Sequence, residues 1–224
     1  GHNLAGWIDV RPASRQATPI LARAVALATD QTCLLMINCD IVGFGMDLHQ
    51  RMLDAVSQRC NIVREQIFIL PTHNHYGPSV SGNYAGDAKL TTQETDYTEA
   101  LIENLAAAAR TALDNIRPAQ LSVGYGEETT FSQNDRFWRK DGTINWVGDR
   151  TTHLDRDSGL KDSQVGVLRF VDAQNKSIAT LFNFACHANC AEPDGFTAIS
   201  WDYPGYTAQT IEQALGGEAF FLAG

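Results

Sequence analysis

A chain of 224 residues is long enough for one large domain or two small ones and for a real buried core. Hydrophobic residues make up 44% and charged residues 19%, which excludes a disordered tail. The 17 basic residues are outnumbered by 26 acidic ones, a net charge of -9, which argues against non-specific nucleic-acid binding and against docking on anionic lipid.

In chain order, the first residues are Gly1-His2-Asn3, with neither an initiator Met nor a signal peptide, so the sequence reads as a piece of a longer protein. Residues 22–29 (ARAVALAT) and 32–39 (TCLLMINC) are apolar runs split by Asp30-Gln31, which predicts a hairpin whose second strand is buried on both faces. Residues 43–60 predict a helix, with Met46, Leu53 and Val56 at helical intervals and Asp47 in the first turn. Residues 66–71 (QIFILP) predict a buried strand. The clearest helix is 91–115: Thr91 and Glu94 make a capping-box pattern, and Leu101, Leu105, Ala108 and Ala112 trace one stripe. Strands are expected over 121–125 and 165–171. Residues 177–186 (SIATLFNFAC) follow the turn 172–175 and complete a second hairpin. Residues 204–215 predict a helix, with Pro204 near its start and Gly216-Gly217 after its end. The last residues, 219–224 (AFFLAG), read as a further buried strand. No apolar run approaches the roughly 18 residues that a bilayer crossing requires.

Two segments carry neither pattern. Residues 77–87 are rich in Gly and Ser. Residues 131–163 are polar, aromatic and charged, and Trp138 and Trp146 favour an ordered lid over a disordered excursion. The five cysteines, at 33, 39, 60, 186 and 190, make no disulfide framework. The CxxxC pair Cys186/Cys190 is read as buried apolar thiols rather than a structural zinc knot, which needs four ligands.

Chemistry concentrates at strand ends. The strand 66–71 runs into Thr72-His73-Asn74-His75, and in an extended chain residues two apart point the same way. His73 and His75 then face one point past a strand's carboxyl end, where open α/β sheets place their ligands. His-x-His offers imidazoles to a transition metal, though two satisfied loop histidines are an equal reading. His187 and Asp40 also end apolar strands, whereas Asp202 is as readily a carboxylate beside helix donors as a site residue. A hydrolytic zinc site wants about three N/O ligands and an open position for water. No GxSxG, GxxxxGK or GxGxxG competes with this reading. His2, His49 and His153 look incidental, His49 being expected to face solvent.

Several of these segments, in this order, resemble the neutral/alkaline non-lysosomal ceramidase family. Leu4-Ala-Gly-Trp7 resembles its Leu-Ala-Gly-Tyr segment, and residues 22–27 resemble its ARALVL strand. Asn38-Cys-Asp40 resembles its segment with an Asp after a buried strand. Thr72-His-Asn-His-Tyr-Gly-Pro78 resembles THTHSGP, and residues 164–170 resemble EVGVLRF. Asn183-Phe-Ala-Cys-His187 resembles NFACHP, and residues 199–205 resemble ISADYPG. THxHxGP and NFACH in this order are specific, and the likeness spans nearly the whole chain.

The resemblance implies an α/β domain of mixed sheets with hairpins flanked by helices, covering 1–224 as a partial catalytic domain truncated at both ends. It implies a zinc-dependent amidase acting on ceramide or another N-acyl lipid, with His73 and His187 as metal ligands. His75 is then a substrate-contacting or proton-handling group, and a Glu and a Tyr downstream complete the ligand set. Arg136 resembles an Arg that holds a polar group of the substrate. A secreted or periplasmic location also follows from the resemblance. Asn74, Tyr76 and Ala188-Asn189 depart from the motifs, Tyr76 most of all as a bulky residue expected beside the metal. Gly224 stands where the family has a Ser. An amidohydrolase barrel, with regular strand–helix alternation, and a non-catalytic binding relative remain the alternatives.

Overall fold

The computed structural model describes residues 2–7, 11–80, 90–132, 134, 136–139, 141–145, 154–157, 160–190 and 197–224. Ten principal elements follow one another: β1 (Ala22–Ala28), β2 (Cys33–Cys39), α1 (Met46–Cys60), β3 (Ile67–Pro71), α2 (Thr92–Asp114), β4 (Gln120–Glu127), β5 (Gln164–Val171), β6 (Ser177–Phe184), α3 (Asp202–Leu215) and β7 (Glu218–Ala223).

They form two mixed sheets. In the first, β1 pairs antiparallel with β2, and β2 pairs parallel with β3. In the second, the order is β7-β6-β5-β4, with β6 and β7 parallel and the other pairs antiparallel. Side-chain alternation explains the stacking. Leu35, Ile37 and Cys39 of β2 face α1 and α2, joined by Ile67 and Ile69 of β3. Met36 and Leu70, on the opposite face, meet Ala179, Leu181 and Phe220 of the second sheet. The other face of that sheet presents Phe182, Phe184 and Phe221 to Ala208 of α3. The molecule is thus layered helix, sheet, sheet, helix. These mixed sheets exclude the regular parallel alternation of an amidohydrolase barrel among the described residues.

The helix ends show why the elements begin where they do. Thr91 Oγ1 accepts from Glu94 N–H at 3.2 Å, and Glu94 Oε2 accepts from Thr91 N–H at 2.7 Å. The same carboxylate accepts from the Asn3 backbone at 3.2 Å and side chain at 2.9 Å. One capping box therefore starts α2 and also pins the N-terminal segment.

Several expectations need correction. The first helix starts at Met46, not 43, and Met46 is 70% exposed, so it does not share the buried stripe of Leu53 and Val56. Phe68 of β3 is 47% exposed, on the edge strand of its sheet. The segment 131–163 is not devoid of strands: Phe137–Arg139 pairs with Ile144–Asn145 and with Leu154–Asp157 in an antiparallel sheet. Trp138 lies in that sheet, while Trp146 falls outside the described residues, as do 81–87 of the Gly/Ser-rich segment. His49 is half-buried and stacked on Phe44, rather than facing solvent. His153 lies outside the described residues. No helix among the described residues is long and apolar enough to cross a membrane.

Candidate metal centre

The carboxyl ends of parallel β2 and β3, and of parallel β6 and β7, lie at the same edge of the stacked sheets. A cavity of about 570 Å³ opens there, lined by Leu70–His73, Ala185–His187 and Leu222–Gly224. Three imidazoles meet beside it. The ring nitrogens of His73, His75 and His187 all lie within 4.8 Å of one another, close enough to share one metal ion. His187 Nε2 and His75 Nε2 are 2.6 Å apart. His73 Nδ1 lies 2.8 Å from the Val42 carbonyl, which leaves Nε2 turned toward the other rings.

The two histidines of His-x-His converge, but not on a straight strand. His73 adopts a left-handed backbone at φ 60, and the chain turns at His75-Tyr76. Burial still alternates: Thr72, Asn74 and Tyr76 point inward while His73 and His75 are only partly buried. A non-Gly residue at positive φ costs of order 1–3 kcal/mol and persists only where its surroundings impose it. Here His73 lies between its own bond to Val42 and the interior anchor of Asn74. The Asn74 side chain donates to the Ser200 carbonyl at 2.6 Å, and its Oδ1 accepts the Tyr76 N–H at 2.9 Å.

Tyr76 corrects an expectation. It is fully buried with Leu4 and Ile199, and its hydroxyl donates to the Asn189 carbonyl at 3.3 Å. Its bulk thus faces the core rather than the cavity, as does that of Asn74. Ala188 likewise serves the scaffold, since its carbonyl accepts the His75 N–H at 3.0 Å and so ties the two histidine loops together.

The sequence reading passed over two residues that hold His75. Gly6 has φ 78, and a Cβ there would stand 2.6 Å from His75 Cε1 and Nδ1. Trp7 donates its indole N–H to the His75 carbonyl at 2.9 Å, and its ring meets the imidazole edge-on at 5.7 Å. Arg11 in turn covers the indole at 3.9 Å. Nothing local in Leu-Ala-Gly-Trp marks Gly6 and Trp7 as neighbours of residue 75. Burial, helped by the charges of His187 and His73, depresses the His75 pKa to about 3, against a hydrogen bond with the Gly6 backbone that raises it.

Two carboxylates support these loops without entering the histidine group. Asp40 is 1% exposed, and burial raises its pKa to about 6 despite the Leu21 N–H, the Arg23 charge and the Thr72 hydroxyl. It accepts from Leu21 N–H at 3.0 Å and from Thr72 Oγ1 at 3.4 Å, immediately before His73. Asp202 is fully buried and accepts from Cys190 N–H at 3.0 Å and from Tyr203 N–H at the start of α3. It therefore serves helix donors and the His187 loop together. Arg136 is half-buried, donates its backbone N–H to Asn134 Oδ1 at 2.9 Å, and does not line the cavity. The CxxxC pair departs from the buried thiols expected: Cys190 is exposed and Cys186 half-buried, since both sit on the open side of the His187 loop.

A family model for the neutral/alkaline non-lysosomal ceramidase, N-terminal, matches residues 14–221. The chain belongs to that family. Among solved structures it is similar to the neutral ceramidase from Pseudomonas aeruginosa, with a TM-score of 0.72 and 19% identity over 98% of this chain. A ceramidase complexed with C2 matches with the same TM-score at 20% identity, also over 98% of this chain. At that identity the likeness establishes the fold. This ceramidase-family chain spans 35% of the length of each of those two proteins. No curated protein matches it.

Proposed function

We propose that the protein is a zinc-dependent hydrolase that cleaves the amide bond of ceramide or another N-acyl lipid. The observation that carries this reading is the convergence of the His73, His75 and His187 ring nitrogens within 4.8 Å beside a cavity, in a chain of the ceramidase family. Imidazoles suit zinc. A metal-binding His commonly has its second nitrogen fixed by a carbonyl, as Val42 fixes His73 Nδ1 at 2.8 Å. His73 and His187 are the ligands in this reading, with further ligands supplied by chain downstream of Gly224. When bound, zinc supplies a Lewis acid for the amide carbonyl and a water with a pKa near neutrality.

His75 handles the proton. With its pKa depressed to about 3 it is neutral at pH 7. Its hydrogen bond with the Gly6 backbone leaves Nε2 as the atom that takes up a proton. Proton transfer is most efficient when the pKa lies near the working pH. The role therefore requires the charge developing on the reacting amide to raise His75 from its resting value before it passes the proton to the leaving amine. The cavity beside Leu70, Pro71 and Leu222 receives part of the substrate. Arg136, which lies outside that lining, is the candidate for holding a polar group of the substrate beyond it.

The test uses the full-length protein. His73→Ala and His187→Ala are expected to lose bound zinc, measured by elemental analysis, and to lose hydrolysis of an N-acyl sphingosine. His75→Ala is expected to keep zinc and lose turnover by about 100-fold or more. Unchanged zinc in either ligand variant, or undiminished turnover in His75→Ala, would remove the corresponding role.

A further inference from the structure

His187 stands between two cysteines that hold its backbone. Cys186 Sγ and Cys190 Sγ lie 3.8 Å apart. Both thiols are directed at one acceptor, the His187 carbonyl, at 3.8 Å from Cys186 and 3.1 Å from Cys190. Thiols are weak donors, so these contacts hold the loop gently. Cys190 is exposed and Cys186 and Cys33 are half-buried, whereas Cys39 and Cys60 are buried; what sets the loop pair apart is two accessible sulfurs side by side.

We propose that Cys186 and Cys190 are a modification site: a reversible disulfide that closes across His187. The sulfurs must approach from 3.8 Å to about 2.05 Å. Rotation of two side chains in a non-helical loop supplies most of that movement. Within the loop, the Asn189 N–H to His187 carbonyl contact, at 2.9 Å, is the backbone hydrogen bond to be kept. The co-reactant is a small disulfide such as oxidised glutathione. One cysteine sulfur attacks a glutathione sulfur, giving a mixed disulfide and one glutathione thiol. The second cysteine sulfur then displaces the remaining glutathione as a thiol. Two protein S–H bonds and one glutathione S–S bond break; one protein S–S bond and two glutathione S–H bonds form. The protein is oxidised by two electrons and glutathione is reduced by two.

Oxidation removes both S–H donors from the His187 carbonyl and draws the loop tight around a residue whose ring meets His75 at 2.6 Å. The bridge therefore alters where the His187 ring rests. That coupling rests on His187 being a zinc ligand; the disulfide itself does not.

The experiment treats full-length protein with oxidised glutathione, blocks remaining thiols by alkylation, and maps peptides by mass spectrometry. The peptide carrying both cysteines is expected to be unalkylated and lighter by two hydrogens, and to revert with dithiothreitol, while Cys33, Cys39 and Cys60 form no bridge. Alkyl groups or separate glutathione adducts on both loop cysteines would overturn the proposal. In Cys190→Ser a stable glutathione adduct on Cys186 is expected; a two-hydrogen loss that persists in this variant would overturn the pairing. Zinc affinity, measured on bridged and reduced protein, is expected to fall roughly tenfold on bridging. Equal affinities with the bridge verified would overturn the coupling to His187. Zinc binding by neither form would overturn the zinc reading and leave the disulfide standing.

Discussion

His73 and His75 ride on a loop whose alternate residues, Thr72, Asn74 and Tyr76, are almost fully buried, whereas His187 is itself exposed between two accessible cysteines. The first loop is fixed from several sides by amide, carboxylate, indole and carbonyl partners. The second is held by two thiol contacts, by Asp202, by the Tyr203 hydroxyl on the Cys186 carbonyl at 2.7 Å, by the Tyr76 hydroxyl on the Asn189 carbonyl and by the Ala188 carbonyl reaching back to His75. One half of the candidate site is therefore packed into the interior, and the other stands at the solvent edge. A buried half sets position, while a half at the solvent edge leaves room for a ligand to enter and leave.

Substitutions in the rigid loop should cost most. Asn74→Ala leaves the Ser200 carbonyl and Tyr76 N–H unpaired in the interior, so a loss of about 3 kcal/mol is expected by urea denaturation. A loss no larger than that of Asn189→Ala, expected at under about 0.5 kcal/mol, would erase the contrast between the loops. Gly6→Ala places a methyl on the His75 ring at positive φ and should cost about 2 kcal/mol in stability while displacing that ring. An unchanged melting temperature would show that the N-terminal segment does not brace His75. Trp7→Phe removes one hydrogen bond to the His75 carbonyl and keeps most of the ring, so about 1 kcal/mol is expected.

The pH dependence sharpens the same contrast, because both perturbed groups belong to the rigid half. Asp40 is raised from 3.8 to about 6, so the folded protein holds a proton there that the unfolded chain releases. Its contribution to stability is complete below about pH 4 and is lost as pH rises through about 6. His75 has the opposite sign: lowered from 6.5 to about 3, it contributes stability above 6.5 that is lost as pH falls toward 3. Between these limits the two slopes oppose each other. Asp40→Asn removes one of them, so the variant's stability should climb more steeply from pH 4 to 6 than the parent's. Matching slopes in denaturation series would show that Asp40 carries no such proton.

Much of the framework was legible in the sequence because it is local. The two hairpins follow from apolar runs parted by turn residues, and the start of α2 follows from Thr91 and Glu94, whose reciprocal hydrogen bonds both form. The position of three histidines just beyond strand ends was also readable, since buried strands announce themselves by composition. The convergence of His73 and His75 does not follow from extended geometry, because an extended chain does not contain the left-handed turn at His73. What stayed hidden depends on distant partners. Tyr76 looks like a cavity residue until Leu4 and Ile199 close around it, and the cysteines look like core until the sheet beneath them ends. Gly6 and Trp7 matter through a neighbour nearly seventy residues away, which no pattern in the chain displays.

The amide of Asn38 lies beneath all of this. It is 2% exposed, and its one nitrogen donates to Leu70 in the first sheet at 3.1 Å and to Phe221 in the second at 3.0 Å. Leu70 is three residues before His73, and Phe221 is paired with Phe182 on the strand that leads to His187. A single side chain thus acts as a rivet between two plates, each carrying part of the histidine group at its rim. Were the plates to slip by one residue's rise, roughly 3.3 Å, the imidazoles would no longer share a common point. The two sheets that lead to the candidate metal centre are thus tied one layer below it, through an amide that holds their backbones.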